Sequence, residues 1–250
     1  MEKVAIVGMG TMGTAIADRL QEKYEVIGIT RKDSLEQVHD ADAVILAVKP
    51  QTFIEEKLYN RLWPLGNKLV LSVMAGIKAR RLRRLLGTER VVRTMPNLAV
   101  STGNSLTAWY ADDKHVDASA VEELLHTWGS TIRLTDEAQF SAFTALAGSG
   151  PAYFFELGRI IEQDALARGF SADQARLIAT QTFLGAASVV TTQTSFADQV
   201  TKVASKGGTT EAALSVLADK GFEQTMHQAI GAACNRSQEL GAILCGVDES

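Results

Sequence analysis

The sequence has few cysteines, no excess of basic residues and no long apolar run. Its two cysteines, Cys234 and Cys245, belong to no C-x-x-C pair and lie near no histidine cluster, so we expect free thiols and no metal site. Lysine and arginine total 25 against 29 aspartates and glutamates, a net charge of −4 that provides no general attraction to nucleic acid or to an anionic membrane. The composition thus argues against a nucleic-acid-binding or disulfide-stabilised protein.

No apolar segment approaches the ~18 residues of a membrane-spanning helix. The first apolar run, VAIVG from Val4, is too short for a signal-peptide core and is followed by no cleavage site of small residues. Hydrophobic residues make up 46% and charged residues 22% of the chain, which excludes disordered, collagen-like and mucin-like proteins. We therefore expect a cytoplasmic globular protein of one large domain or two modest ones.

The first half of the sequence alternates short apolar runs with helical patterns. Continuous apolar runs without period-two alternation indicate strands that are buried on both faces, and the intervening helices indicate right-handed crossovers. The predicted strands are VAIV from Val4, YEVIGIT from Tyr24, AVILAV from Ala43, KLVLSV from Lys68, RVVRT from Arg90, SLTAWY from Ser105 and TIRL from Thr131. This pattern predicts an α/β fold with a doubly wound parallel sheet.

Strand signals stop after Leu134, and the rest of the sequence indicates an all-α region rich in alanine and leucine. The predicted domains are therefore 1–137 and 138–250. Helices are expected to begin after Asp136, at Pro151, after Ser171 and after Thr209. Because this region has more apolar positions than its helices can bury alone, we expect a homodimer, or a higher homo-oligomer built from dimers.

The motif GMGTMG at Gly8 has the spacing G-x-G-x-x-G and lies directly between a predicted strand and a predicted helix. Gly8 permits a tight turn, Gly10 lets the backbone approach a pyrophosphate, and Gly13 allows close packing of helix on strand. Free N–H groups at the helix start, around Thr11 and Met12, can bind phosphate. The motif predicts a Rossmann-type dinucleotide site; the alternative is a glycine turn used only for packing.

The second predicted strand ends at Thr30, followed by Arg31 and Lys32. An NAD site has Asp or Glu about 20 residues after the glycines, and such a carboxylate repels the 2′-phosphate of NADP. A hydroxyl and two cations attract that phosphate instead. The sequence therefore predicts NADPH, with NADH as a second possibility, and the alternative interpretation of Arg31 and Lys32 is a solvated pair of cations.

The third predicted strand ends in Lys49-Pro50, and the proline favours extended backbone at Lys49. Because the carboxyl ends of such strands face the ligand crevice, Lys49 is either a crevice residue or an ordinary surface residue. Five basic residues further on are interpreted as a solvated helix face, since no glycine or aromatic pattern accompanies them. They are Lys78, Arg80, Arg81, Arg83 and Arg84.

Several segments together resemble the pyrroline-5-carboxylate reductase family. They are GMGTMG at Gly8, ILAVKPQ at Ile45, VVRTMPN at Val91, ALAGSGPAYFFEL at Ala145 and SKGGTTEAAL at Ser205. The resemblance spans nearly the whole chain, and its last two segments are much more specific than the glycine turn. It implies an N-terminal Rossmann domain, a helical substrate and dimerisation domain, and hydride transfer from NAD(P)H to the C=N bond of 1-pyrroline-5-carboxylate, which yields L-proline.

The resemblance also implies roles for individual residues. By motif position, the residues that line the cofactor are Ala47, Val48, Lys49 and Pro50, with Ala75 and Gly76 beside its nicotinamide half and Asn97 reaching the active site. The implied substrate residues are Ser205, Gly207, Gly208, Thr209 and Thr210. Thr210 is placed near the imine nitrogen, where we expect a hydrogen bond or a proton relay through water, because a threonine hydroxyl is too weak an acid to act alone.

The residues of the SKGGTT segment agree with a substrate site. Consecutive glycines can expose backbone N–H groups that form a nest for a carboxylate, and Thr209 or Thr210 is expected to cap the following helix. The alternative is a plain glycine turn between two helices. The sequence departs from the family pattern in the short connection 31–42, in Lys206, which replaces a proline, and in Leu98-Ala99-Val100, which replaces a proline-rich stretch.

Two other functions stay open at this point. One is reduction of another small cyclic imine, and the other is a non-catalytic, NADP-binding regulatory protein. Alcohol oxidation of the 3-hydroxyacid dehydrogenase type needs a catalytic lysine on an early helix of the second domain. The lysines after Asp136 are Lys202, Lys206 and Lys220, none of them on the helix that follows Gly150, so that activity is disfavoured.

Overall fold

The computed structural model describes residues 1–111, 114–191 and 193–245. The chain forms two compact units: a sheet unit, made of residues 1–149 and the segment from Ala232 onward, and a helical unit, Gly150–Gly231. The sheet unit extends past the predicted boundary at residue 137, because Phe140 is buried in one cluster with Met95 and Leu134.

All seven predicted strands are present in the sheet unit. They are β1 (Lys3–Val7), β2 (Glu25–Ile29), β3 (Ala43–Leu46), β4 (Leu69–Ser72), β5 (Val91–Met95), β6 (Ser105–Tyr110) and β7 (Gly129–Arg133). Their spatial order is β2-β1-β3-β4-β5-β6-β7. The doubly wound α/β prediction is confirmed, with one correction: β6 is antiparallel to β5, and β7 runs parallel to β6. The connection 96–104 is too short for the crossover of about a dozen residues that a parallel β6 requires.

Helices cover both faces of the sheet. They are α1 (Thr11–Leu20), α2 (Pro50–Glu55), α3 (Leu58–Leu62), α4 (Ala79–Leu86), α5 (Ala118–Leu125) and α6 (Gln139–Phe143). Two 3-10 helices (Leu35–Asp40 and Leu98–Thr102) and a π-helix (Thr144–Gly148) complete the unit. Alternate β1 side chains enter opposite cores: Val7 contributes to the core beneath α2 to α4, and Ile6 to the core beneath α1 and α5. Burial on both faces explains the continuous apolar strand sequences.

The basic residues of α4 do not all face solvent. Arg80 and Arg84 are exposed, but Arg81 is only 9% exposed. The interpretation of the whole cluster as a solvated face is therefore wrong for Arg81. Leu82 and Leu86 bury one side of α4 in the core, and this packing brings Arg81 inward with them.

The helical unit contains α7 (Gly150–Ala167), α8 (Ala172–Ser188), α9 (Phe196–Val203), α10 (Thr209–Asp219) and the first part of α11 (Phe222–Cys245). The predicted helix starts agree with the structure to within about two residues, since the helices begin at Gln139, Gly150, Ala172 and Thr209. At α8 the capping box is complete, since Ser171 Oγ accepts the N–H of Gln174 and Gln174 Oε1 accepts the N–H of Ser171.

The helical unit leaves much of its apolar surface uncovered. Phe155 is 63% exposed and Phe196 is 73% exposed. Further exposed apolar side chains of this unit are Phe154, Phe170, Leu177, Leu184, Val203 and Val216. Among the described residues, no helix is both long enough and apolar enough to cross a membrane.

Candidate functional site

The strand order brings two of the predicted cofactor segments together. The chain leaves β1 to one side for β2 and to the other side for β3, so the crevice between such strands opens at the carboxyl ends of β1 and β3. The turn at Gly8 follows β1, and Ala47 and Val48 follow β3. The N–H of Ala47 donates to the carbonyl of Val7 at 2.9 Å, which fixes the two segments side by side.

Each glycine of the motif has its own steric reason. Gly8 has a φ of +103°, and a Cβ there would lie 2.8 Å from the backbone of Ala47 and Val48. A Cβ on Gly13 would collide with the carbonyl oxygen of Gly8, so this glycine sets the close approach of α1 to the turn. A Cβ on Gly10 would instead enter open space. The turn therefore has an open cradle at Gly10.

The start of α1 faces this cradle with free donors. Gly10 is the N-cap of α1, and no side chain caps the helix there. Thr11 and Met12 are the first residues of α1, so their backbone N–H groups have no partner within the helix. A helix start of this kind, together with the open space at Gly10, fits a pyrophosphate.

The end of β2 holds a carboxylate that the sequence analysis did not single out. Asp33 Oδ2 accepts hydrogen bonds from the N–H of Thr30 at 2.8 Å and from its hydroxyl at 2.6 Å. These bonds lower the pKa of Asp33 below its usual value, so the group is ionised at neutral pH. The Arg31 guanidinium pairs with Glu56 at 2.9 Å, and Lys32 is exposed. The phosphate site predicted at Thr30, Arg31 and Lys32 therefore has an ionised carboxylate, Asp33, next to it.

The backbone after β3 has the predicted extended form. Lys49 has φ −64° and ψ 136°, and it is the N-cap of α2, with Pro50 in the first turn. Lys49 is exposed, whereas Ala47, Val48 and Pro50 are half-buried at the crevice edge. These four residues therefore lie at the carboxyl edge of the sheet, directly after β3.

A second recess lies at the carboxyl ends of β4 and β5, entirely within the sheet unit. It is a cavity of about 470 Å³ whose lining includes Ala75, Gly76 and Arg93. Gly76 has a φ of +80°, and a Cβ there would lie 2.9 Å from the Leu244 side chain and 3.0 Å from the Gly241 Cα. The two residues that the resemblance places beside the nicotinamide thus form a wall of this cavity.

Asn97 is held by the chain itself. Its side-chain oxygen accepts the N–H of Ala99, and its side-chain nitrogen donates to the carbonyl of Ala147 at 3.0 Å. Ala147 belongs to the π-helix, a feature that sequence periodicity does not reveal. Both ends of the Asn97 amide are therefore engaged in positioning the segment after β5 and the π-helix, and its contact with a cofactor stays a prediction.

The SKGGTT segment forms the start of α10, in the helical unit. Gly207 has a φ of +72°, and the N–H of Gly208 donates to the carbonyl of Ser205 at 3.0 Å. Gly208 is the N-cap of α10, and no side chain caps it, so the expected threonine cap is wrong. The reason is that the N-cap falls on Gly208, which has no side chain, whereas Thr209 and Thr210 lie inside the first turn.

A carboxylate already occupies part of the predicted nest. Glu211 Oε2 accepts the N–H of Gly207 at 2.5 Å, so this donor has an internal partner. In the part of the chain that the structure describes, the hydroxyls of Thr209 and Thr210 have no hydrogen-bond partner, and Thr210 is half-buried. Lys206 is exposed. The segment therefore offers a partly filled nest, two available hydroxyls and one nearby cation.

The mostly parallel sheet, its reversal of strand order at β1, and the glycine cradle at that point define the class of Rossmann-type nucleotide-binding folds. Comparisons with known proteins then identify the family. The family model for pyrroline-5-carboxylate reductase dimerisation matches residues 137–240. The pyrroline-5-carboxylate reductase of Aquifex aeolicus is 33% identical over 95% of this chain and 97% of that protein. The chain belongs to the pyrroline-5-carboxylate reductase family.

Solved structures agree with this assignment. The chain is similar to a pyrroline-5-carboxylate reductase from Coxiella burnetii, with 30% identity, a TM-score of 0.81, and coverage of 95% of this chain and 97% of that one. It has the same fold as the Plasmodium falciparum pyrroline carboxylate reductase with NADP bound, at 22% identity and a TM-score of 0.81, covering 96% and 98% of the two chains.

Proposed function

We propose that this protein reduces 1-pyrroline-5-carboxylate to L-proline with a hydride from NADPH, the last step of proline biosynthesis. The observation that carries the proposal is that this chain, a member of the family, has both a site for the cofactor and a site for the substrate. The first is the open glycine cradle at Gly10 against Ala47 and Val48. The second is the SKGGTT turn at the start of α10.

The proposed chemistry asks little of the protein's own acids and bases. The bound cofactor supplies the hydride, and an imine carbon accepts it readily once the ring nitrogen is protonated or hydrogen-bonded. The backbone N–H groups of Thr209 and Thr210, which have no partner within α10, hold the substrate carboxylate, aided by Ser205. Thr210 donates a hydrogen bond at the ring nitrogen, directly or through one water. No metal is needed for any of these roles.

The cofactor proposal rests on two features of the sheet unit, the glycine turn after β1 and the residues that follow β2. The turn at Gly8 to Gly13 and the free N–H groups of Thr11 and Met12 fit the pyrophosphate, while Arg31 and Lys32 attract the 2′-phosphate of NADPH. The bound NADP of the Plasmodium falciparum protein supports this choice. Asp33 opposes it, because an ionised carboxylate at the end of β2 favours ribose hydroxyls. We therefore expect a preference for NADPH with measurable use of NADH.

Turnover of the five-membered ring imine is the direct test. Purified protein should oxidise NADPH, followed by absorbance, in a saturable reaction with 1-pyrroline-5-carboxylate, and proline should inhibit it. NADH and a six-membered ring imine serve as comparisons. Faster turnover of the six-membered ring would reassign the substrate, and NADPH binding without turnover of either imine would favour a regulatory protein.

We also propose that the helical unit joins two copies of the chain. Phe155 and Phe196 are exposed on this unit together with many other large apolar side chains. An apolar surface of this extent is typical of an interface between subunits. The match of residues 137–240 to the family's dimerisation model supports a homodimer or an assembly of dimers. Light scattering after size exclusion should therefore give at least twice the chain mass of 26.9 kDa, and a monomer mass would contradict the proposal.

A further inference from the structure

The buried pair of Arg93 and Glu137 stands beside the cavity at the carboxyl ends of β4 and β5. The two side chains are 7% and 20% exposed, and Arg93 Nη1 donates to Glu137 Oε1 at 2.8 Å. The Arg93 guanidinium also stacks 4.3 Å from the ring centre of Phe140, which is itself buried. Both partners are thus held in place by packing as well as by charge.

The same carboxylate oxygen also holds the backbone of the segment after β4. Glu137 Oε1 accepts the N–H of Ala79 at 2.7 Å, and Ala79 is the first residue of α4. The N-cap of that helix, Lys78, makes no side-chain cap of its own, so Glu137 supplies one from a distant part of the chain. At the other end of the segment, Ser72 of β4 pairs with Arg93 of β5.

The segment between these two anchors contains Ala75 and Gly76. Ala75 packs on the cluster that contains Phe140, and Gly76 has a positive φ and lies against α11. Because glycine adopts several backbone conformations at little cost, the shape of this segment depends on what holds its two ends. The pairing of β4 with β5 fixes the first end, and Glu137, held by the Arg93 side chain, fixes the second through the N–H of Ala79.

We propose that Glu137 is a positioning residue for hydride transfer: held by Arg93, it fixes Ala79 and thereby sets the backbone of Ala75 and Gly76 that supports the nicotinamide ring. This inference rests on the proposed function, since it takes those residues as the nicotinamide side of the site. Glu137 also lines the cavity, and the role assigned here is its effect on the geometry of the loop.

Substitution of Glu137 tests this role by separating length from charge. Because both hydrogen bonds end on the single atom Oε1, Glu137→Gln can keep both, whereas Glu137→Asp keeps the charge but is too short to reach both groups. We expect kcat of the Gln variant within about threefold of the parent protein, and a fall of roughly tenfold or more for Asp and for Ala, since a misplaced reacting group costs this much.

Binding measurements distinguish positioning from general damage. For Asp and Ala, the fluorescence of bound NADPH should change, because it reports the surroundings of the nicotinamide. The affinity for 2′-phospho-ADP-ribose, which lacks that ring, should stay within about threefold. The control is Asp42→Ala, which removes a carboxylate that accepts the N–H groups of Glu2 and Lys3 at the opposite edge of the sheet. It should leave kcat and fluorescence unchanged.

Three results would overturn the proposal. The first is an Asp variant with unchanged kcat and fluorescence. The second is a parallel loss of kcat and fragment affinity in the Asp variant, which indicates structural damage alone. The third is a Gln variant as impaired as Asp. If Glu137→Ala does not fold, the comparison of Gln with Asp decides the matter. If the parent protein binds NADPH but reduces no imine, the proposed function fails while fluorescence and fragment binding still test Glu137; absence of NADPH binding would overturn both.

Discussion

Replacing Thr210 with alanine should lower kcat for 1-pyrroline-5-carboxylate by roughly 100-fold, with a smaller effect on KM. The hydroxyl of Thr210 has no partner within the described chain and is half-buried in the first turn of α10. A donor of this kind stabilises the transition state more than the ground state, because the ring nitrogen gains basicity as the hydride arrives. Steady-state kinetics at saturating NADPH would measure the loss.

A matched hydroxyl on the same helix provides the control. Ser215 is exposed on α10 and lies beyond the SKGGTT turn, so Ser215→Ala should leave both kcat and KM near their parent values. Thr210→Ser keeps the hydroxyl and should recover most of the activity. Parent-like turnover by Thr210→Ala would remove the residue from the proposed chemistry.

Alanine at Gly10 should weaken NADPH binding, whereas alanine at Gly13 should lower the stability of the fold. In Gly10→Ala the new methyl enters open space at a residue whose φ is −81°, so the free energy of unfolding should change by no more than about 1 kcal/mol. The same methyl fills the space proposed for the pyrophosphate. Loss of one or two charge-assisted hydrogen bonds there should weaken NADPH binding by roughly tenfold to a hundredfold.

Gly13→Ala should instead destabilise the folded chain. Its Cβ would collide with the carbonyl of Gly8, and both partners are backbone that cannot move without separating α1 from β1. We expect a loss of about 3 kcal/mol in the free energy of unfolding. Thermal unfolding of the protein without cofactor, together with calorimetric titration by NADPH, would separate the two variants. A stable Gly13→Ala protein, or a Gly10→Ala protein with unchanged affinity, would contradict the proposed cradle.

The strands and the turns between them could be predicted from local sequence because burial on both faces leaves continuous apolar runs such as VAIV and AVIL. The reversal at β6 could not, since strand direction depends on the length and path of the connection 96–104 rather than on the strand's own residues. Helix starts followed from local signals as well, as the capping box at Ser171 shows.

The chemistry of the site was harder to predict where residues distant in sequence meet. Glu137 and Arg93 pair across 44 positions, and no periodicity relates them. Two nearer partners did have signals. Asp33 lies at the usual distance after the glycines for a ribose-binding carboxylate, and Glu211 occupies the third helical position, where acidic residues commonly bond back to the turn. Arg31 and Lys32 favoured a phosphate site over a ribose site near Asp33, and the two glycines before α10 favoured an open nest over one bonded to Glu211.

The division of the chain has a consequence for its synthesis. The sheet unit includes Leu244, which is 6% exposed in the core beneath α2 to α4, although the whole helical unit precedes it in the chain. A ribosome translates the seven strands well before it reaches this residue. One side of this core and the wall behind Gly76 therefore stay incomplete until residues 232–244 have been synthesised. The cofactor site thus depends on a segment that is translated after the whole helical unit.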